Sequence, residues 1–520
     1  MLARIIAITL LCLATSRFAL SDLDAEATIL SIQDLISSGG LGQAASTIEK
    51  GLKKYPRSGG IYNLRGIVSA QQGHTSEAEA DFLKALSLEP QLLSAYLNLG
   101  RLYQSSIDVD PSTLSKAIDI YQRALTVDPR SDEAHYQLAV LLEWRGAFAE
   151  SLKNLAVLPE SKQTEARVLA LRCADLAALE RSVEAAQAAR ELAASRDFRD
   201  EDFQAILPVL DQRRKFELIR TLIEALQQRH LASTASEREL AKAYENLGEL
   251  GRARSLLESL AQQEGPSVQL LMDLARVAYK QQDREGALGY LAHARDIDPG
   301  NAMIHFAFGT IALELRLPLE AESSIKKALE LQPDNPDFNY GMAVVELHGH
   351  DASKAIPYFQ KFLSMKKDDV RGRYGLAIAD FLSGNYEQSK EIFLTAINTP
   401  ETCSGAHYFL GRIAKLDADS VTAETEFRQA IEHDPKNVEA HAELASLLIR
   451  SKRYADAKRT LDEALAIDAD NFVANTNLLV LYQRTKDDRA AAQSEKLEAL
   501  GKKRDEMQEL LYRRIEVRPY

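Results

Sequence analysis

Residues 302–335 read AMIHFAFGTIALELRLPLEAESSIKKALELQPDN, and the spacing of seven of them decides the fold. His305 and Phe308 stand before Gly309, Ala321, Ile325 and Ala328 follow, and Pro333 closes the stretch. Residues three and four apart share a helix face, and proline cannot continue a helix. Stepping outward by 34 residues finds the same slots filled again: Ala253, Ala287, Ala321, Ala355, Ser389, Ala423, Ala457 and Ala491 keep the step without a break. Backwards, the register runs through Ile219, Ala185, Ser151 and Ala117. An insertion at 105–111 separates these from Ala78 and Ala44, themselves 34 apart. Prolines keep the same interval at Pro56 and Pro90, at Pro299 and Pro333, and at Pro435 three periods later.

A period of this length with small, large and proline slots resembles the tetratricopeptide repeat family over nearly all of the chain beyond residue 21. Tyr96, Leu99, Gly100, Tyr103, Ala117, Tyr121, Ala124 and Pro129 spell out one repeat; His407, Leu410, Gly411, Ala423, Phe427, Ala430 and Pro435 spell out another. The resemblance implies an all-α fold, a right-handed superhelical solenoid of about fourteen helix-turn-helix repeats with a C-terminal capping helix. Small residues let two helices approach, large ones fill the space between them, and links such as Gln72-Gly73-His74 and Ser383-Gly384-Asn385 join the antiparallel pair. The pattern is weakest over 161–233, where Pro208 interrupts an expected first helix. The expected organisation is a signal peptide at 1–21, a continuous solenoid over 22–505 and a capping segment at 506–520, where Leu510, Leu511 and Tyr512 sit among Arg513, Arg514 and Glu516.

Arg4, the apolar run from Ile5 to Ala14, and Ala19-Leu20-Ser21 before Asp22 have the order of an export signal. The run is too short to span a bilayer, which takes ~20 apolar residues. A mature protein in the periplasm or secreted, without a stable membrane anchor, is the expectation. The 76 Asp and Glu against 63 Lys and Arg give a net charge of -13, which disfavours nucleic acid as a partner.

No GxxxxGK[ST] loop, GxSxG elbow or HExxH helix occurs in the sequence. The expectation is therefore no enzyme, no catalytic residues, no cofactor and no metal, with the carboxylates scattered over exposed helix faces. His135, His305, His407 and His441 share one slot, where the family favours a large aromatic, and are assigned to packing. The turn His348-Gly349-His350-Asp351 is the better metal candidate by spacing, though exposed turn histidines are ordinarily solvated. Cys173 and Cys403 are read as small buried residues rather than as a disulfide or a metal site.

One slot after the histidines, Phe306, Tyr340, Tyr374 and Tyr408 recur every 34 residues. In proteins this chain resembles, that slot of the first helix faces the concave side of the superhelix. Residues four and seven further on share the face: Val344 and Leu347, Ile378 and Phe381, then Arg412 and Lys415, with Met272, Arg276 and Tyr279 in the preceding repeat. Two readings follow. Either these residues line an apolar, aromatic groove for a partner protein or peptide segment, or they pack the seam between adjacent first helices. Relatives that clamp a carboxylate with Lys and Asn, or carry an asparagine row beside a sugar transferase, are not matched; Asn98 and Asn477 stand alone in that row. The leading function is a protein-binding scaffold for a periplasmic or envelope assembly. The alternative is a carbohydrate-associated module for envelope polysaccharide, with aromatic rings stacking on sugars.

Overall fold

The computed structural model describes residues 20–349 and 351–501, so the apolar run of the leader and the capping segment 506–520 lie outside the described residues. Over the described residues the chain forms 29 helices and no strand. It divides into two compact units, residues 1–256 and 257–520. Apart from the four-residue helix Glu160–Gln163, the helices follow one another in chain order as fourteen pairs of a leading and a following helix, each pair a repeat. Each repeat takes the number of the first residue of its leading helix. Leading helices begin at 132, 166, 200, 234, 268, 302, 336 and 370, and again at 438 and 472, on the 34-residue step read from the sequence. Within this run only repeat 400 departs. Its leading helix, Pro400–Leu416, starts early and has 17 residues where Val370–Leu382 and Val438–Arg450 have 13.

Inside each unit a leading helix packs on its own following helix, and that helix packs on the next leading one, except after repeat 166, where Ala166–Ala178 packs on Asp200–Gln212 and Ser182–Ala194 packs on Phe216–Gln228. The small slots are where the helices close together. Ala44, Ala78, Ala117, Ser151, Ala185, Ala321, Ser389 and Ala423 are all buried. Gly411 shows why the slot before the turn must be small: a Cβ there would stand 2.7 Å from Cε1 of Phe427 on the following helix. Most leading helices are followed, two residues on, by a residue in the left-handed region, glycine at Gly73, Gly146, Gly248 and Gly384, but Glu180, Arg214, Gln282, Arg316, Ala418 and Lys452 elsewhere, whereas Leu93–Ser105 has none. The reversed backbone turns the chain into the following helix after a three-residue link, and glycine adopts it at least cost.

Three expectations are corrected. Pro208 does not interrupt its helix, which runs from Asp200 to Gln212; the side chain is exposed, so the carbonyl it deprives of an amide can turn to water. Ala491 is exposed although it keeps the register, because the last following helix begins at Ala490 and buries Gln493, whose Nε2 donates to Asn475 O at 3.1 Å and Asn475 Oδ1 at 2.9 Å. The carboxylates are not all on exposed faces. Asp175 is 0% exposed and Glu143 is buried with it.

Candidate functional site

In the first unit, Pro159 sets up a large departure from helix pairing. A residue before proline is driven out of the helical region, and Leu158 is extended (φ -61°, ψ 145°). The following helix of repeat 132 therefore stops at Val157 after 10 residues. Helix Glu160–Gln163 substitutes for its missing last turn, and the leading helix Ala166–Ala178 comes next. The shortening leaves a cleft of about 560 Å³. Leu152, Leu155, Val168, Leu176 and Ala188 contribute apolar surface to it, with Arg172, Arg181 and Arg190 against the single acid Glu184. Arg181 is ion-paired with Glu184 and Arg172 with Glu191, whereas Arg190 bonds the neutral Gln187 at 2.9 Å. Val183, at 82% exposure, stands on the rim. Sequence reasoning missed this cleft; its signal was Leu158-Pro159, just before the stretch 161–233 whose repeats are weakest.

Close by in the sequence, Asp175 and Glu143 form a second group the sequence did not announce. Both carboxylate oxygens of Asp175, Oε1 of Glu143 and Oγ of Ser151 are buried without a hydrogen-bond acceptor or donor in place. Burial pushes the Asp175 carboxyl up to about 8, with the nearby Glu143 charge adding to the rise and the Ser151 hydroxyl opposing it. Burial alone pushes Glu143 up to about 7.

In the second unit the aromatic row is brought together, but chiefly as a seam. Phe306, Tyr340, Tyr374 and Tyr408 are buried, Tyr374 at 4% exposure, as are Val344, Leu347, Ile378 and Phe381. Phe306 lies 4.8 Å from Phe338, Tyr340 lies 5.2 Å from Phe362, and Tyr374 lies 5.9 Å from Phe393, centroid to centroid. Their faces are spent on neighbouring helices, because leading helices such as Ala302–Glu314 are apolar all round and enclosed accordingly. Of the thirteen residues expected at a groove, Met272, Arg276, Tyr279, Arg412 and Lys415 keep part of their surface. Four of these five are engaged: Arg276 with Asp273 at 2.7 Å, the Tyr279 hydroxyl with Glu314 at 2.5 Å, Lys415 with Glu443 at 2.5 Å, and Arg412 over Phe381 at 4.7 Å. The seam reading accounts for the eight buried residues, and an accessible edge remains only at the two ends of the row. Asn98 and Asn477 are likewise occupied, by Asn63 at 3.0 Å and by Ala442 O at 2.8 Å.

The histidine slot is explained by one bond. Nε2 of His135, His305 and His441 meets the carbonyl six residues earlier, Pro129 O at 3.1 Å, Pro299 O at 2.9 Å and Pro435 O at 3.1 Å. Asn339 Nδ2 makes the same contact with Pro333 O at 3.0 Å. In the turn candidate, His348 Nδ1 is engaged with Val344 O at 2.9 Å and Asp351 with Lys354 at 2.9 Å, while His350 lies outside the described residues.

Family models described as tetratricopeptide repeat match residues 30–92, 112–179, 238–302, 306–370 and 418–492. The chain carries tetratricopeptide repeats. Repeats of this class generally mediate protein–protein interaction and are generally non-catalytic. A BBSome complex member BBS4 homolog of Drosophila melanogaster is 22% identical over 313 residues, covering 59% of this chain and 58% of the relative. The chain thus spans under two thirds of that relative's length. Among solved structures, pilF of Pseudomonas aeruginosa is 21% identical at a TM-score of 0.34, covering 38% of this chain and 91% of its own. Yeast Tom70 is 17% identical at 0.38, covering 88% and 94%, and the Cut9–Hcn1 structure is 16% identical at 0.39, covering 88% and 90%. No helix of the described tetratricopeptide repeats is long and apolar enough to cross a membrane.

Proposed function

We propose that the chain is a non-catalytic scaffold that binds a segment of a partner protein, seated in the cleft that Pro159 opens between repeats 132 and 166. The observation that carries this reading is the combination of an apolar lining with three arginines and one glutamate at a single concave place. That chemistry fits an extended or helical segment whose apolar side chains are flanked by carboxylates. The net charge of -13 argues against nucleic acid as the occupant. The exposed parts of Met272, Arg276, Tyr279, Arg412 and Lys415 are a secondary contact area in the same proposal. Stacking on sugar rings is less well supported, since a ring needs an open face and the rings of the row are buried among other rings.

The leader-like residues 1–21 extend the proposal to an exported protein of a periplasmic or envelope assembly. Edman sequencing of the mature chain tests that part: a new N-terminus near Asp22 supports export, and retention of Met1 removes it. For the cleft, a photo-crosslinking residue at position 183 is read in the native host, and the captured segment is mapped by mass spectrometry. The reading expects one contiguous segment in which apolar residues alternate with Asp or Glu. A scatter of unrelated abundant proteins, or a basic segment, would overturn it.

A further inference from the structure

Of the four histidines in the shared slot, His407 is the one without the bond to the carbonyl six residues earlier. Its leading helix begins at Pro400, so the carbonyl six residues before His407 belongs to Glu401, inside the helix rather than in a turn. His407 instead uses Nδ1 to meet Glu426 Oε2 at 2.7 Å and makes no turn-carbonyl bond through Nε2. Cys403 stands one helical turn earlier on the same face, and His433 sits in the last turn of the following helix Ser420–His433. A ligand atom from each of Cys403, His407 and His433 lies within 4.8 Å of the other two. The two imidazole rings are parallel, 5.5 Å apart at an interplanar angle of 3°.

We propose that Cys403, His407 and His433 bind a divalent transition-metal ion of borderline softness, Zn2+ by class. One thiolate and two imidazoles are the donors such an ion prefers. Glu426 fixes the His407 ring by accepting from Nδ1–H, which directs the Nε2 lone pair outward, the arrangement in which a carboxylate orients a metal-bound histidine. Cys403 is buried, His407 is half-buried and His433 is exposed, so the ion enters from the His433 side. Closing the site requires the His433 ring to turn out of its parallel stacking, because lone pairs lie in the ring plane; an exposed side chain at a helix end can do so. Three protein ligands leave the fourth position to water or to a group from outside the chain. The ion would tie the leading helix of repeat 400 to its following helix where the usual turn contact has been given up. This site is independent of the cleft between repeats 132 and 166.

The test uses the full chain stripped with a chelator, then titrated with Zn2+ against a chromophoric competitor and with Co2+ for its visible and thiolate charge-transfer bands. The proposal expects one equivalent bound, with a thiolate band, and its loss in Cys403→Ser and in His433→Ala. Glu426→Gln should weaken binding about 10- to 100-fold. His433 is exposed, so its removal leaves the fold in place, and circular dichroism of each metal-free variant checks this. Absence of a bound equivalent in the unaltered chain would overturn the proposal, as would binding that survives His433→Ala and Cys403→Ser unchanged.

Discussion

Asp175 and Glu143 give the first unit a pH dependence whose sign follows from their burial. Folded, the two carboxyls hold their protons up to about 8 and about 7; unfolded, they release them near about 4. Between those values the folded chain binds more protons than the unfolded one, so stability is full below the unfolded values and falls as pH rises toward 8. Denaturant unfolding should show a loss on the order of a few kcal/mol from weakly acidic to weakly basic solution, much of it abolished by Asp175→Asn. A flat profile in the unaltered chain would remove this account of the pair. Packing makes an opposite pair of predictions at two glycines. Gly411→Ala pushes a methyl group against Phe427 and should cost about 1–3 kcal/mol. Gly289→Ala, in an open helix position, should stabilise by about 0.4–1 kcal/mol. Calorimetry or denaturant titration distinguishes the signs. The sequence register marked Gly411 as a crowded slot, whereas nothing in Cys173-Ala174-Asp175-Leu176 separates a buried acid from a solvated one, because that depends on what the neighbouring repeat packs against it.

At the scale of the helix, the left-handed residue that follows most leading helices is the repeated device, and its cost varies with the side chain. Ala418 holds φ 60° without a polar group to bond its own backbone. Ala418→Gly should therefore stabilise by about 1 kcal/mol, read as a higher denaturation midpoint at unchanged slope. No change would show that the strain is relieved elsewhere in the turn. The helices were legible because a 34-residue period repeats the same packing demand many times, so a weak repeat borrows its register from strong ones. That is why the stretch around Pro208 still pairs as helices. The departures carry the information the period cannot hold. Leu158-Pro159 shortens a helix and opens a cleft, and Pro400 lengthens one and strips His407 of its turn carbonyl. Each is visible as a proline out of step, but what forms in the space it creates depends on three or four helices at once.

For the whole molecule, the repeats define fold far more narrowly than ligand, since the packing slots recur and the surface slots vary freely. The aromatic row shows the limit of reading a surface from spacing. A 34-residue interval places Phe306, Tyr340, Tyr374 and Tyr408 on one side of successive helices, and only the packing shows that this side is largely closed. Tyr374→Ala should accordingly lower stability by about 3–5 kcal/mol, in thermal or denaturant unfolding, rather than act on partner binding alone. The cleft between repeats 132 and 166 carries the central claim, that the chain holds an acidic, partly apolar segment of another protein. Its most direct test is calorimetric titration of the segment crosslinked through position 183 against the unaltered chain and Arg190→Glu. The account predicts about tenfold weaker binding for Arg190→Glu, with the gap narrowing as salt is raised. Equal affinity for the two proteins at low salt would contradict it.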